Sequence, residues 1–346
     1  MKSTPTDRKP RSISLGAAHT NPADAYKGVP ILKLPVWHNE VAAYFFFGGI
    51  SAGSAIIGSL AEVFGGERYK QLARTAHYVS FATLLPCPPL LVADLGRPER
   101  FHHMMRIFKP SSPMNLGSWA LLVHGAGATA TVAGMLAVEN KLPIPVVGRL
   151  GRLFPEKVMA ALGVPSALVL GGYTGVLLGT TSNPVWYTSQ MLGGLFMASS
   201  LGSGAAAISL ADALSTRGSH GNGPATRALG IGFDAVELAL LGGYVATTGA
   251  ARKHLLAGKE GRLVRGAAAA LGISLGLHVV SAVLPKSDRL LGALSGAVGL
   301  VGAAMLRSGV VSAGRRAAAD REGTLEAMKP RKGSPGWRVT GASQPV

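Results

Sequence analysis

Cysteine is almost missing: Cys87 is the only one in 346 residues. A disulfide needs two thiols and an iron–sulfur cluster usually four, so this chain holds neither by itself. Charge is scarce too, at 15% of residues, and acids are scarcest, with 17 against 34 lysines and arginines. Aromatic residues make up 6%. What remains is small and apolar: 48% of residues are hydrophobic, 47 are glycine, and the mean hydropathy is +0.31. A soluble domain carries about a quarter charged residues, so this composition points to a polytopic membrane protein. A net charge of +17 would suggest nucleic acid as a partner of a soluble protein. Here the basic residues cluster between apolar runs and in both tails with no nucleic-acid-binding motif, and contact with anionic membrane lipid accounts for them better.

The first 35 residues carry Lys2, Arg8, Lys9 and Arg11 but no apolar core before Val29, the pattern of a flexible tail and not of a cleavable signal peptide. Crossing a hydrocarbon layer of roughly 30 Å takes about 20 apolar residues in a helix. Eight stretches meet that need: 41–64, 72–95, 116–138, 158–180, 191–214, 228–250, 263–284 and 290–311. They are too long for barrel strands and lack period-two alternation, so the expected fold is all-α, with eight transmembrane helices. Small residues are spaced for close helix approach at Gly49 and Gly53, at Gly171, Gly175 and Gly179, and at Gly292 and Gly296. Pro86, Pro88 and Pro89 should interrupt the second helix, and broken helices often line a site. Ser59-Leu-Ala-Glu62 and Ser209-Leu-Ala-Asp212 close the first and fifth runs at an offset of 150 residues. This faint repeat predicts two four-helix bundles, 41–180 and 191–311, in a membrane domain over 37–314 between flexible basic tails at 1–36 and 315–346.

Eight spans put both tails on one side of the membrane. That tail side holds 23 lysines and arginines against 11 opposite, which predicts cytoplasmic tails in a bacterial inner membrane. Position along alternating helices then converts to depth. Near the tail side lie Trp37, His38, Asn39, Glu40, Asp94, Arg97, His124, Tyr173, Trp186 and Tyr187; near the opposite side lie Glu62, His77, Asp212, Asp234, Glu237 and His278. Ionisable groups in a membrane are costly, so each is a functional candidate. A helix-end charge reaching the interface is the plainer account; it suits Glu62 and Asp212 and not Glu237 or His278.

The first group has the composition of a quinone headgroup pocket. A quinone carries two carbonyl oxygens that need donors such as His, Tyr or Arg, and its reduction takes up two protons, which Asp94, held by Arg97, can relay. The second group reads as a proton-transfer set, with Glu237, His278, His77 and Asp234 connecting the far side to the quinone region through His124. A structural Glu–His pair that only locks two helices together is the alternative.

Five motifs in order resemble a known family: Asp94-Leu-Gly-Arg-Pro-Glu-Arg-Phe followed by Ser112-Pro-Met-Asn-Leu-Gly-Ser-Trp119, Tyr44-Phe-Phe-Phe-Gly-Gly-Ile-Ser-Ala-Gly53, Tyr173-Thr-Gly-Val-Leu-Leu178, Asn183-Pro-Val-Trp186, and Leu195-Phe-Met-Ala-Ser-Ser-Leu-Gly-Ser-Gly204. Together they are similar to the NrfD/PsrC family, the membrane subunits of polysulfide-reductase-type complexes. The resemblance implies an eight-helix subunit that exchanges electrons between membrane quinone, menaquinone or ubiquinone, and a four-cluster ferredoxin-like iron–sulfur subunit, which serves a molybdopterin-type catalytic subunit. It implies a quinone site at His38, Asn39, Asp94, Arg97 and Tyr173, and no haem and no metal in this chain.

The residues leave two other classes open. His77 and His278 lie at similar depth, as the two ligands of a haem b anchor would. Glycine-rich helices with buried acids also suit a secondary transporter or a passive anchor, although transport calls for a polar site at the midplane.

Overall fold

Three prolines in four positions decide where the second membrane crossing breaks. Pro86, Pro88 and Pro89 have no N–H to give to the preceding turn, so α2 (Lys70–Leu84) stops and α3 (Cys87–Ala93) starts afresh, its ladder resuming where Leu90 N donates to Pro86 O at 3.1 Å. The structure, a computed structural model, describes residues 30–35, 37, 39–139, 156–215, 223–284 and 288–328. Among these, eight segments are long and apolar enough to cross a membrane, as composition predicted. They are α1 (Asn39–Phe64), α2 with α3, α4 (Pro113–Val138), α5 (Glu156–Gly179), α7 (Met191–Leu214), α8 (Gly223–Thr247), α10 (Gly258–Val283) and α11 (Asp288–Ala319). Short helices α6 (Pro184–Tyr187), α9 (Arg252–Leu256) and α12 (Arg321–Met328) lie on the tail side, as does a 3-10 turn at Pro98–Met105. The expected N-terminal tail falls almost wholly outside the described residues, whereas residues 315–328, placed with the basic tail from sequence, are helical on both sides of a break at Asp320.

Two helices form the centre. In their most apolar windows α1 is 83% buried and α7 67%, against 28–39% for the other six. α1 packs on α2, α5, α7 and α11; α7 packs on α1, α5, α8 and α11. Helix association in lipid relies on close van der Waals fit, since lipid tails are as apolar as side chains. The α1–α7 crossing meets that demand with Gly53 and Gly204: a Cβ on Gly53 would stand 1.9 Å from Ser200 O, and one on Gly204 2.6 Å from Ser54 N. Gly175 and Gly296 likewise abut the backbones of Leu192 and Ala206, while Gly179 and Gly292 make no such close approach.

The last crossing is longer than expected. α11 continues past Val311 to Ala319, and Arg307, counted in sequence among the basic residues of the tail side, lies in the interior with no exposed surface.

Candidate functional site

On the tail side the proline break, the start of α4 and the last third of α5 converge. Ser112 caps α4, its Oγ accepting from Asn115 N at 3.5 Å, and Pro113 takes the first helical position, where a missing N–H costs nothing. Tyr173 of α5 donates its hydroxyl to Pro113 O. Its ring lies flat against Gly117, where a Cβ would stand 2.3 Å away, so only glycine leaves room for it. Asp94 caps the end of α3, its N–H on Leu90 O. Asp94, Tyr173, Tyr44 and Ser118 then line one cleft of about 40 Å³ with Val41, Phe45, Leu90, Leu91 and Leu177, and Met104 and Met114 also contribute.

The expected headgroup residues therefore divide. Asp94 and Tyr173 share the cleft. Arg97 is exposed at the start of the 3-10 turn and Asn39 is exposed at the start of α1; neither lines the cleft. His38 lies outside the described residues. Tyr44 and Ser118 join the cleft without having been singled out in sequence, although both stand inside motifs that carry the resemblance.

The expected proton-transfer residues divide as well, into two clusters on opposite sides of α1. In the first, His124 of α4 is buried with Nε2 2.9 Å from Ser51 Oγ, and Ser51 Oγ is 3.3 Å from Ser80 Oγ. One turn before Ser80 on α2, His77 is buried with Nε2 unpartnered among the described residues. It borders a cavity of about 490 Å³ at the opposite face, lined also by Glu62, Lys70, Thr131 and the ion-paired Arg74 and Glu139.

In the second cluster, Asp234 of α8 accepts from Ser274 Oγ at 2.7 Å and lies 3.9 Å from His278 Nε2. The His278 ring occupies the space over Gly230, where a Cβ would be 2.3 Å from it. Glu237, one turn further along α8, is fully buried, and neither carboxylate oxygen has a hydrogen-bond partner among the described residues. Glu237 lies beside Ser199 and Arg307. Arg307 donates to Ser199 Oγ at 2.7 Å and to Ser200 Oγ at 3.3 Å and lies over the Phe196 ring at 5.7 Å. The acid facing His278 is thus Asp234 and not Glu237, and the groups reaching the interior include a cation that reads in sequence as the edge of a basic tail. One signal marks it: the residues after Arg307 stay small and uncharged as far as Gly314.

α1 stands between the clusters. Gly49 faces the Arg307 guanidinium, and Ser51, two residues on and about 200° round the helix, faces His124. His77 and His278, the paired ligands of the haem alternative, sit in separate clusters, His77 against Gly58 and His278 against Gly230. Asp212, read from sequence as an interfacial charge, is buried and accepts from Thr75 Oγ1 at 3.1 Å. Trp186 is fully buried, donates Nε1–H to Val310 O at 2.9 Å and leans on Trp37 with ring centroids 5.5 Å apart.

Comparison with known proteins agrees with this architecture. The family described as "Polysulphide reductase, NrfD" matches residues 30–314. Protein NrfD of Escherichia coli is 28% identical over 309 residues, 81% of this chain and 95% of that one. A selenate reductase subunit of Mesobacillus selenatarsenatis is 24% identical over 196 residues, 49% of this chain and 46% of that one. The Hdr-like menaquinol oxidoreductase integral membrane subunit of Archaeoglobus fulgidus is 31% identical over 90 residues, 26% of this chain and 22% of that one. The chain thus spans less than half the length of the last two. With the family matched over most of its length and eight helices suited to cross a membrane, the chain is a multi-pass membrane protein of the NrfD polysulphide reductase family.

Proposed function

We propose that this chain is the quinone-exchanging membrane subunit of a reductase complex, with the substrate chemistry in a partner subunit. The observation that carries the reading is the tail-side cleft, where an acid and two tyrosines from three separate helices meet between apolar walls. A menaquinol oxidoreductase subunit and a selenate reductase subunit among the relatives support the same class. The donor set fits a quinone headgroup: hydroxyls of Tyr173, Tyr44 and Ser118 for carbonyl oxygens, and apolar side chains for the ring faces.

A quinone bound there supplies two-electron, two-proton redox chemistry. The chain's own part is to bind and to manage protons. Val41, Phe45, Leu90, Leu91 and Leu177 keep water from the ring faces. Tyr173 donates now to Pro113 O and can redirect its hydroxyl proton toward a ligand oxygen. Asp94, half-buried at the water-facing end of α3, holds or releases a proton at its carboxylate. The partner in this reading is a four-cluster ferredoxin-like subunit on the tail side, serving a molybdopterin-type enzyme. The positive-residue bias supports tails on the cytoplasmic side of a bacterial inner membrane.

The finer part of the proposal is proton movement. His77, Ser80, Ser51 and His124 form a broken polar line from the far-side cavity, and His124 lies six residues, about 9 Å of helix rise, from Ser118 in the cleft. The Asp234–Glu237–Arg307 cluster is a separate store of charge.

Tyr173→Phe and Asp94→Asn in the intact complex test the cleft. Quinone-linked turnover is expected to fall roughly a hundredfold with assembly unchanged. Full turnover with a short-chain quinone in both variants refutes the assignment. In proteoliposomes, Glu237→Gln and His124→Gln separate the two clusters: the one that matters loses proton movement while electron transfer persists. A wild-type complex that moves no protons beyond the quinone's own removes the coupling.

A further inference from the structure

The connection between α3 and α4 is held by very little. No residue of its Pro98–Met105 turn is buried, and Arg97 at its start makes no side-chain cap. Apolar burial therefore does not secure it. One side chain does: Asn115, on the first turn of α4, donates Nδ2–H to Met104 O at 3.0 Å and to Ile107 O at 3.0 Å, and accepts Lys109 N–H on Oδ1 at 2.6 Å. A carboxamide has two N–H donors and one oxygen, and all of them are used on the backbone of this strap. Phe108 adds an edge contact to Trp119 at 5.8 Å.

The same turn of α4 builds the cleft. Two and three residues on from Asn115 stand Gly117, against the Tyr173 ring, and Ser118, in the cleft wall. Met104, whose carbonyl Asn115 holds, lines the cleft beside Met114. The cleft, of about 40 Å³, is small beside a two-ring headgroup, which enters only if a wall moves. The Met104 thioether, on an otherwise unburied strap, is the part of that wall able to move.

From this geometry we infer that Asn115 is a positioning residue, the latch that holds the strap over the cleft and sets entry and retention of the quinone headgroup. The inference rests on the cleft being the headgroup site. When the latch is made, Met104 closes the cleft and water is kept from it. When it opens, the strap swings clear as a unit, because its three tethers end on one side chain.

The test uses the full chain in lipid nanodiscs, with amide exchange over 98–109 and the binding kinetics of a short-chain naphthoquinone read by tryptophan quenching. Asn115→Asp keeps shape and the acceptor but sets a carboxylate against two carbonyls; Asn115→Leu removes all three bonds. Exchange over 98–109 is expected to quicken about tenfold or more in both, with α1 and α7 unchanged, and naphthoquinone to dissociate about tenfold faster. Lys109→Ala is expected to change neither, since only its backbone is held. Unchanged exchange in Asn115→Asp overturns the latch. Faster exchange with unaltered naphthoquinone kinetics overturns its control of the cleft. A wild-type chain that binds no naphthoquinone refutes the headgroup reading itself, and the exchange data tell that failure from the others.

Discussion

Arg307 donates to Ser199 Oγ at 2.7 Å across 108 residues of chain, and this bond joins α11 to α7 at the centre of the bundle. Two family motifs, Tyr44–Gly53 and Leu195–Gly204, meet around it. Gly49 of the first makes room for the guanidinium, Phe196 lies under it, and Ser199 and Ser200 accept from it. Glu237 is the nearby acid.

That arrangement predicts an asymmetry between single and double variants. Arg307→Leu leaves a buried acid without its counter-charge and should cost about 3–5 kcal/mol, whereas Arg307→Leu combined with Glu237→Leu removes both charges and should recover much of the loss. Thermal unfolding in detergent checks the order. A double variant no more stable than Arg307→Leu would mean that the two groups do not compensate each other.

A second prediction concerns the fully buried Trp186. Its Nε1–H bonds Val310 O, and its ring fills the space over Gly314, where a Cβ would stand 2.0 Å away; Asn183 Nδ2 binds Gly314 O at 2.7 Å. Trp186→Phe should cost about 1 kcal/mol for the lost bond, beyond any packing loss. Gly314→Ala should cost more, about 1–3 kcal/mol, because the ring has to shift. Equal and negligible effects on unfolding would show that α6 does not brace α11.

Acid should loosen the junction of α9 and α12. Asp320 accepts from Gly323 N at 2.9 Å and lies 3.0 Å from Lys253 Nζ and 3.2 Å from His254 Nε2. The Gly323 N–H, then Lys253, hold its carboxyl below the ordinary range. Its stabilising effect is therefore present above the ordinary carboxylate pKa and is lost as pH falls through the lowered value. Burial, stronger than the pull of Asp320, lowers His254, so its contribution as a neutral ring fades as pH drops below the ordinary histidine range. Both act in the same direction. Amide exchange over 252–256 and 321–328, taken relative to the intrinsic rate at each pH, should rise as pH goes from about 7 to 4, and Asp320→Asn should flatten the lower part of that rise. A pH-independent profile in the unaltered protein contradicts the assignment.

Number, length and order of the crossings were legible in the chain because each depends on local apolarity over about 20 residues. The break at Pro86, Pro88 and Pro89 was legible too, since a missing N–H is a property of the residue itself. Depth along each helix also followed, and Asp94 and Tyr173, which it groups, line one cleft. Direction round the helix did not. Near-uniform small apolar sequences such as α1 and α7 carry little amphipathic pattern, so nothing local says that Gly49 faces Arg307 while Ser51 faces His124. Only packing decided that one expected proton-transfer set is two clusters, that Asp234 and not Glu237 faces His278, and that Arg307 belongs to the interior. A charge next to a tail reads as solvated until a distant serine pair, a glycine gap and a buried acid are brought to it, and that convergence is a property of the assembled helices alone.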